Sequence, residues 1–171
     1  EAEGLPIGVV TGAQGLIWMD VTITGRESHA GTTPMDRRKD ALVAAAAVVT
    51  GLRHLALGHP PGVCTVGELE LGLGSRNTIP GSVRFTVDIR HPDAGTLARL
   101  TEACRQLTAE HAHGQGCTFE IDHIADAPPV HFDDGCIRAV RRAAADLGLP
   151  HRDIVSGAGH DACYVARVAP A

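Results

Sequence analysis

The residues of this chain that could carry chemistry lie in three polar loops interrupted by glycine and proline. The first loop is residues 25–36 (GRESHAGTTPMD), in which His29 lies between two glycines. An imidazole can gain or lose a proton near neutral pH, and binding residues concentrate on loops that a rigid scaffold holds. Gly25 and Gly31 are expected to adopt backbone angles that other residues resist. A surface loop with an incidental histidine is the alternative interpretation.

The second loop is residues 156–161 (SGAGHD). Two glycines ahead of a helix can present backbone N–H groups to an anion or an oxyanion, and His160 and Asp161 add an imidazole and a carboxylate. The pattern differs from the Gly-x-Ser-x-Gly nucleophile elbow, so Ser156 is a poor candidate for a nucleophile. A strand-to-helix turn whose glycines serve only tight packing is the alternative.

The third loop is residues 75–80 (SRNTIP), and Arg90 stands at the far end of the strand that follows it. The planar guanidinium of arginine can hold a carboxylate through two hydrogen bonds, and the amide of Asn77 can donate or accept. Taken singly, both residues are also typical of solvated surfaces and turns.

The histidines and cysteines do not follow the spacing of a metal or disulfide site. Among the ten histidines, pairs such as His54 with His59 and His111 with His113 lack the helical i, i+4 separation and the carboxylates of zinc motifs. We therefore predict no complete metal site within the chain. The five cysteines are odd in number and include no Cys-x-x-Cys pair, which favours a reducing, cytoplasmic compartment.

Composition restricts the possible partners. The 171-residue chain has 44% hydrophobic and 20% charged residues, as a globular domain does. Its net charge of −5 and its 3% aromatic content provide neither the basic surface nor the stacking platform that nucleic acid requires. No run approaches the roughly 18 consecutive apolar residues of a membrane span. We therefore expect neither nucleic acid nor a membrane as a partner.

Hydrophobic periodicity predicts six elements in the order β-α-β-β-α-β. The predicted ranges are 16–24, 34–57, 63–71, 82–90, 96–111 and 117–124. In the first helix, Thr33 is the expected N-cap and Pro34 the expected first residue. This order is typical of the split βαβ, ferredoxin-like fold, an α+β class in which a four-stranded antiparallel sheet has two helices on one face.

The flanking residues predict parts of a second domain. Residues 7–10 form a possible strand, and the C-terminal part contains a predicted helix at 133–147, a strand at 152–155 and an apolar run at 162–168. One helix and one strand cannot form a core by themselves. The predicted organisation is a flank at 1–14, a ferredoxin-like domain at 15–126 and a fragmentary α/β flank at 127–171.

The three loops, taken in order, resemble one enzyme family. Four segments, 25–41, 75–81, 87–93 and 156–162 (GRESHAGTTPMDRRKDA, SRNTIPG, VDIRHPD and SGAGHDA), resemble the N-carbamoyl-L-amino-acid hydrolases, β-ureidopropionases and allantoate amidohydrolases of the aminoacylase/carboxypeptidase metallohydrolase superfamily. The resemblance implies that residues 15–126 are an inserted lid and dimerisation domain. It also implies that the two flanks belong to a catalytic domain.

The resemblance further implies an activity for the full-length parent. Metal-activated water hydrolyses a linear non-peptide C–N bond in a small ureido or amide substrate with a carboxylate, such as an N-carbamoyl amino acid, a ureido acid or allantoate. Two divalent metal ions, zinc or manganese, serve the parent, and a homodimer forms through the inserted domain. This chain lacks the family's metal-ligand and general-base segments, so we expect it to bind no metal and to be inactive alone.

Residue roles are also implied by the resemblance. His29 matches the catalytic histidine of the inserted domain, which reaches the partner subunit's site and stabilises the tetrahedral oxyanion. The residues expected to bind substrate are Asn77 and Arg90, on its carboxylate, and Gly157, Ala158, Gly159 and His160, in a catalytic-domain loop. The Gly72-Leu73-Gly74 segment departs from the family, which more usually has a proline and an asparagine before the serine.

Two other interpretations stay open. An aminoacylase or dipeptidase of the same superfamily shares the architecture, although the GAGHDA segment favours the carbamoylase branch. A free-standing ferredoxin-like dimerisation or ligand-binding module would need no metal ligands. That module would leave residues 127–171 with nothing to pack on.

Overall fold

The computed structural model describes residues 4–171. Residues 1–3 of the predicted N-terminal flank lie outside the described residues. In chain order the elements are β1 (Ile7–Ala13), β2 (Gly15–Thr24), β3 (Ser28–His29), a 3-10 turn (Met35–Arg37), α1 (Ala41–Leu57), β4 (Val63–Thr65), β5 (Leu69–Leu71), β6 (Thr78–Ile79), β7 (Ser82–His91), α2 (Ala94–Gly114), β8 (Thr118–Ala127), β9 (Val130–His131), α3 (Asp134–Asp146), β10 (His151–Ser156) and α4 (Ala162–Val165).

The larger sheet has the predicted split βαβ topology. Its strand order is β4-β7-β2-β8, with β5 also paired to β7, and every pairing is antiparallel. β2 and β7 pair along their whole lengths, from Gly15 opposite His91 to Thr24 opposite Ser82. The α+β, ferredoxin-like fold class is confirmed.

The main core lies between this sheet and the helices α1 and α2. The alternating apolar residues of β2 and β7 are buried, as their period of two predicts: Ile17, Met19, Val21, Ile23, Val83, Phe85, Val87 and Ile89. The helices contribute the stripes that include Val48, Leu52, Leu100 and Cys104. The opposite face of the sheet carries polar side chains and Trp18, which is 43% exposed.

The first helix begins later than predicted. Thr33 is not its N-cap, because residues 35–37 form only a 3-10 turn and Arg38 is extended. The N-cap is Asp40, whose Oδ1 accepts hydrogen bonds from the backbone N–H groups of Leu42 at 3.0 Å and Val43 at 3.1 Å. The alanine-rich run that favours a helix starts at Ala41, so the helix forms where both the cap and the propensity coincide.

The predicted strand at 63–71 is two short strands, β4 and β5. Both strands pair with β7. Between them, the backbone carbonyl of Glu68 accepts a hydrogen bond from the backbone N–H of Thr86, and the backbone N–H of Glu68 donates to the Thr86 hydroxyl. The edge of the sheet is therefore interrupted, which shortens the row of unpaired backbone groups that an edge strand presents.

A smaller sheet joins the two ends of the chain. Its order is β10-β1-β9, with β1 parallel to β10 and antiparallel to β9. A second apolar cluster of Val9, Phe132 and Ile137 lies beneath it, and α3 packs on β1. The predicted helix and strand of the C-terminal part are present, with each boundary shifted by one residue. No helix in the described range is both long and apolar enough to cross a membrane.

Candidate functional site

His29 is presented by a two-residue pairing at one end of the larger sheet. β3 pairs with β6, which places His29 opposite Thr78. The exposed ring accepts a hydrogen bond at Nδ1 from the backbone N–H of Gly31, at 3.0 Å. Because Nδ1 is the acceptor, the neutral ring carries its proton on Nε2. His29 is thus arranged as a hydrogen-bond donor toward solvent.

The loop that holds His29 is stabilised by Arg38, which sequence reasoning missed. The guanidinium of Arg38 donates to the carbonyl oxygens of Ala30 at 2.7 Å and Thr33 at 3.1 Å. Nothing in the local pattern distinguishes Arg38 from the neighbouring Arg37, because both are arginines at the end of the same turn. Only the tertiary fold brings Arg38 against the loop carbonyls.

The two glycines of this loop are needed for close approach rather than for unusual backbone angles. Neither Gly25 nor Gly31 has a positive φ, so the expectation about their backbone angles was wrong. A Cβ on Gly25 would collide with the backbone carbonyl of Lys39, and one on Gly31 would stand 3.2 Å from Cε1 of His29. Glycine therefore lets the loop fold tightly around the imidazole.

Asn77 lies beside His29. Its carbonyl oxygen accepts the backbone N–H of Ala30 at 2.8 Å, and its side-chain Oδ1 accepts the hydroxyl of Ser75 at 2.8 Å. The exposed amide NH₂ of Asn77 is left to donate outward. We refer to His29, Asn77 and Arg38 as the His29 cluster.

Arg90 is fixed at the other end of the sheet. Its Nε and Nη2 donate to the Asp88 carboxylate at 2.9 and 2.7 Å, and Nη1 donates to the carbonyl oxygen of Gly157 at 2.8 Å. The hydrogen bonds that Arg90 donates to the Asp88 carboxylate raise the pKa of Arg90 above its ordinary value. An arginine has five N–H groups, so one hydrogen on Nη1 and one on Nη2 have no acceptor in the described structure.

The contact with Gly157 brings Arg90 to the glycine-rich loop at 156–161. Ala158, Gly159 and His160 line a cavity of about 420 Å³ between the two sheets, and Arg90 lines it too. We call this the inter-sheet cavity. His160 is oriented by the backbone N–H of Ala162, which donates to its Nδ1 at 3.2 Å, and by the edge of Phe132 at 5.5 Å between ring centroids.

Other residues of the inter-sheet cavity were not singled out from the sequence. They include Gln14, Leu16, Trp18 and Tyr164. Leu16 and Trp18 follow the same alternation as any half-buried strand, and Gln14 lies in a short link between two strands. No local signal marks them, because the cavity exists only where the two sheets meet.

The structure does not bring Asn77 and Arg90 of one chain together. The His29 cluster lies beyond the end of the sheet at which Thr24 pairs with Ser82, whereas Arg90 pairs with Leu16 at the other end. Eight residue steps separate Ser82 from Arg90, which is about 27 Å along a β-strand. The predicted site residues therefore form two separate groups within the chain.

The described residues do not fit a metal centre. Within residues 4–171 no group of three or more His, Cys, Asp and Glu side chains is placed to hold an ion. The five cysteines are all free, and burial raises the pKa of the Cys64 thiol to about 12 and that of Cys104 to about 11. Such thiols are poor metal ligands and poor nucleophiles at neutral pH.

Sequence comparison places the larger sheet and its helices in a known family. The model for the peptidase dimerisation domain matches residues 11–116. The chain therefore belongs to the peptidase dimerisation domain family.

More specific similarities cover nearly the whole chain. It is 44% identical to an N-carbamoyl-L-amino-acid amidohydrolase of Rhizobium meliloti over 99% of this chain and 41% of that protein. It is 33% identical to a probable allantoate deiminase of Oryza sativa over 98% of this chain and 40% of that protein. The crystal structure of a hydantoinase/carbamoylase family amidase from Burkholderia multivorans has a TM-score of 0.95 and 52% identity over 99% of this chain and 41% of that one.

These matches confirm the resemblance that the four segments predicted. They also show that the chain spans about two fifths of the length of the curated relatives it matches.

Proposed function

We propose that the full-length protein is a metal-dependent amidohydrolase that cleaves a linear non-peptide C–N bond in a small substrate with a carboxylate. The similarity to N-carbamoyl-L-amino-acid amidohydrolases and an allantoate deiminase supports this class. The observation that carries the proposal is the fixed guanidinium of Arg90, with two unused N–H groups, at a cavity lined by the 156–161 loop.

Arg90 binds the substrate carboxylate in this proposal. Asp88 holds one side of the guanidinium and Gly157 fixes its direction, so the free hydrogens on Nη1 and Nη2 have a fixed orientation. Each is available to donate to an oxygen of the substrate carboxylate. Gly157, Ala158, Gly159 and His160 form the wall against which the bound substrate lies, with the Nε2–H of His160 as an additional donor.

His29 supplies the hydrogen bond that stabilises the oxyanion formed when the C–N bond is attacked. Because the backbone N–H of Gly31 donates to Nδ1, the neutral His29 ring carries its proton on Nε2. His29 can therefore donate a hydrogen bond without first gaining a proton. A donor placed where negative charge develops stabilises the transition state more than the substrate.

The complete active site is composite in this proposal. Because about 27 Å of β-strand separates the His29 cluster from Arg90, one chain cannot direct both at one small substrate. In a homodimer formed through the dimerisation domain, the His29 cluster of one protomer lies near Arg90 of the other. One protomer contributes Arg90 and the 156–161 loop, and its partner contributes His29 and Asn77.

The two divalent ions, zinc or manganese, are proposed to bind to parts of the full-length protein other than residues 4–171, since these residues do not form a metal centre. We also propose a cytoplasmic location, for which the five free thiols are the support.

The test is a substrate panel for the metal-loaded full-length enzyme: N-carbamoyl-L-amino acids, allantoate, N-acetyl amino acids and dipeptides. We expect release of carbamoyl-derived ammonia from a ureido substrate at a kcat/KM at least tenfold above that for any N-acetyl amino acid or dipeptide. A preference for N-acetyl amino acids or dipeptides would support an aminoacylase or dipeptidase instead. No hydrolysis of any substrate would support a free-standing binding module.

A further inference from the structure

Gln14 occupies the link between the two sheets and lines the same cavity as Arg90. It lies between β1 and β2, and its backbone N–H donates to the carbonyl oxygen of Ser156 at 2.9 Å. Two residues further along, Leu16 is paired with Arg90 across the sheet. The backbone thus holds Gln14 at the inter-sheet cavity between Arg90 and the 156–161 loop.

The side chain of Gln14 has an unmet hydrogen-bond requirement. Among the described residues, its Oε1 is the one buried side-chain polar atom without a hydrogen-bond partner, and Gln14 lines the cavity. Buried acceptors in folded proteins are nearly always paired, and an exception calls for a specific explanation. A rotation of the Gln14 amide toward the cavity would expose this oxygen, and a ligand N–H group in the cavity would then satisfy it.

The unsatisfied groups around the cavity describe a ligand. Arg90 offers two N–H donors, which match a carboxylate, and Gln14 offers one acceptor, which matches an N–H group. An N-carbamoyl α-amino acid carries its carboxylate and its α-N–H on the same carbon. We propose that Gln14 is a substrate-binding residue whose Oε1 accepts a hydrogen bond from the α-N–H of an N-carbamoyl amino acid held by Arg90.

The remaining wall of the cavity identifies the side chain of that amino acid. Leu16, Trp18, Val130 and Tyr164 give the cavity an apolar side. An apolar or aromatic substituent on the α-carbon gains from burial there, whereas the second ureido group of allantoate would not gain from contact with this apolar side. The inference rests on the proposed function and narrows it to N-carbamoyl amino acids with apolar side chains.

The test compares two ligands that differ only in the α-N–H. One is N-carbamoyl-L-leucine, and the other is the O-carbamoyl derivative of the matching 2-hydroxy acid, in which oxygen replaces N–H. Inhibition constants of both are measured with the metal-loaded full-length enzyme, using hydrolysis of a third N-carbamoyl amino acid as the reporter. The wild type should bind the N–H ligand about tenfold or more tightly than its oxygen counterpart, because oxygen would face the Gln14 acceptor.

Gln14→Met keeps the length of the side chain and removes the acceptor. This variant should bind the two ligands within about twofold of each other. Gln106→Met, on the exposed surface of α2, is the matched control and should keep the wild-type ratio. A wild-type ratio in Gln14→Met overturns the proposal, since a merely structural role for Gln14 would weaken both ligands equally.

A second variant covers the case in which Gln14→Met does not fold. Gln14→Glu retains an acceptor in a side chain of the same size, so it should keep the preference for the N–H ligand. It should weaken the binding of both ligands, because its negative charge repels their carboxylates. Loss of the preference in Gln14→Glu contradicts the proposal. If the wild type hydrolyses no ureido substrate, the proposed function itself fails. If it hydrolyses allantoate but no N-carbamoyl amino acid, only the narrowed substrate class and the role of Gln14 fail. If it hydrolyses N-carbamoyl amino acids without an N–H preference, only the role of Gln14 fails.

Discussion

At the scale of single residues, hydrogen bonds to neighbours decide what each candidate side chain can do. Gly31 fixes the tautomer of His29, Asp88 orients Arg90, and Ala162 fixes the tautomer of His160. These partners turn ordinary polar side chains into donors of defined direction. Preorganised donors need no rearrangement when charge develops on a substrate.

His29→Ala in the full-length enzyme should lower kcat by about 10²- to 10³-fold, as expected for the loss of one oxyanion donor. KM should change far less, because the contact forms mainly in the transition state. Steady-state kinetics on the substrate identified by the panel measures both constants. His54→Ala, at an exposed position on α1, is the control. A near-normal kcat in His29→Ala would remove His29 from the mechanism.

At the scale of elements, the N-termini of the three longer helices are each closed by an aspartate. Asp40, Asp93 and Asp133 accept backbone N–H groups at the starts of α1, α2 and α3. Each cap satisfies donors that the helix itself cannot pair. The cap of α1 also sets where the His29 loop ends, since residues 35–39 are left outside the helix.

Asp40→Ala should lower the free energy of unfolding by about 1 kcal/mol, the usual cost of an N-cap lost to alanine. Urea denaturation followed by circular dichroism measures this change. The control is Asp36→Ala, whose exposed carboxylate would lie in the first turn if the helix began at residue 34. Equal destabilisation by the two substitutions would contradict the observed start at Ala41.

The cap of α2 predicts a dependence of stability on pH. Hydrogen bonds from Thr96, through its hydroxyl and its backbone N–H, each at 2.7 Å, lower the pKa of Asp93 below its ordinary value. The charged cap therefore stabilises the fold above the unfolded-state pKa of about 4. This contribution is lost as the pH falls through the lower, folded-state pKa.

Asp93→Asn retains an acceptor that does not titrate. Its free energy of unfolding should fall less steeply than that of the wild type as the pH is lowered below about 4, where the aspartate takes up its proton. Urea unfolding at a series of pH values measures the two slopes. Parallel curves for the two proteins would show that the carboxylate does not contribute in this range.

At the scale of the whole molecule, the long pair of central strands separates the two groups of candidate site residues. The His29 cluster and Arg90 lie at opposite ends of β7, and in the proposed function a second copy of the chain brings one group of each kind together. Symmetric dimers provide this kind of exchange, because each protomer gives the same groups to the other.

Two strongly impaired variants should therefore restore activity to each other. Co-expression of His29→Ala and Arg90→Ala subunits with different affinity tags should yield mixed dimers, each with one site intact and one doubly altered. About a quarter of wild-type activity is expected from random pairing, since about half of the dimers are mixed. The purified mixed dimer should reach about half. Activity no greater than that of either variant alone would exclude the composite site.

The sequence by itself determined the elements and most of the core. Alternation in β2 and β7 and the helical stripes of α1 and α2 are local patterns, and the packing of each element on one core follows directly from them. The four segments that resemble the amidohydrolase family were also recognisable from the sequence, because a short motif is identified by its residues alone, without knowledge of its contacts. The start of α1 was misplaced because a proline-led turn imitates a helix start, and only the packed structure assigns the cap to Asp40.

Only the tertiary structure decided which loops meet. Arg90 reaches Gly157 across 67 residues of sequence, while Asn77, much closer to Arg90 in sequence, lies at the opposite end of the sheet. The unpaired oxygen of Gln14 likewise arises only where two sheets enclose it. Sequence periodicity reports the environment of each segment, whereas contacts between distant segments depend on strand order and on the path of the connecting chain.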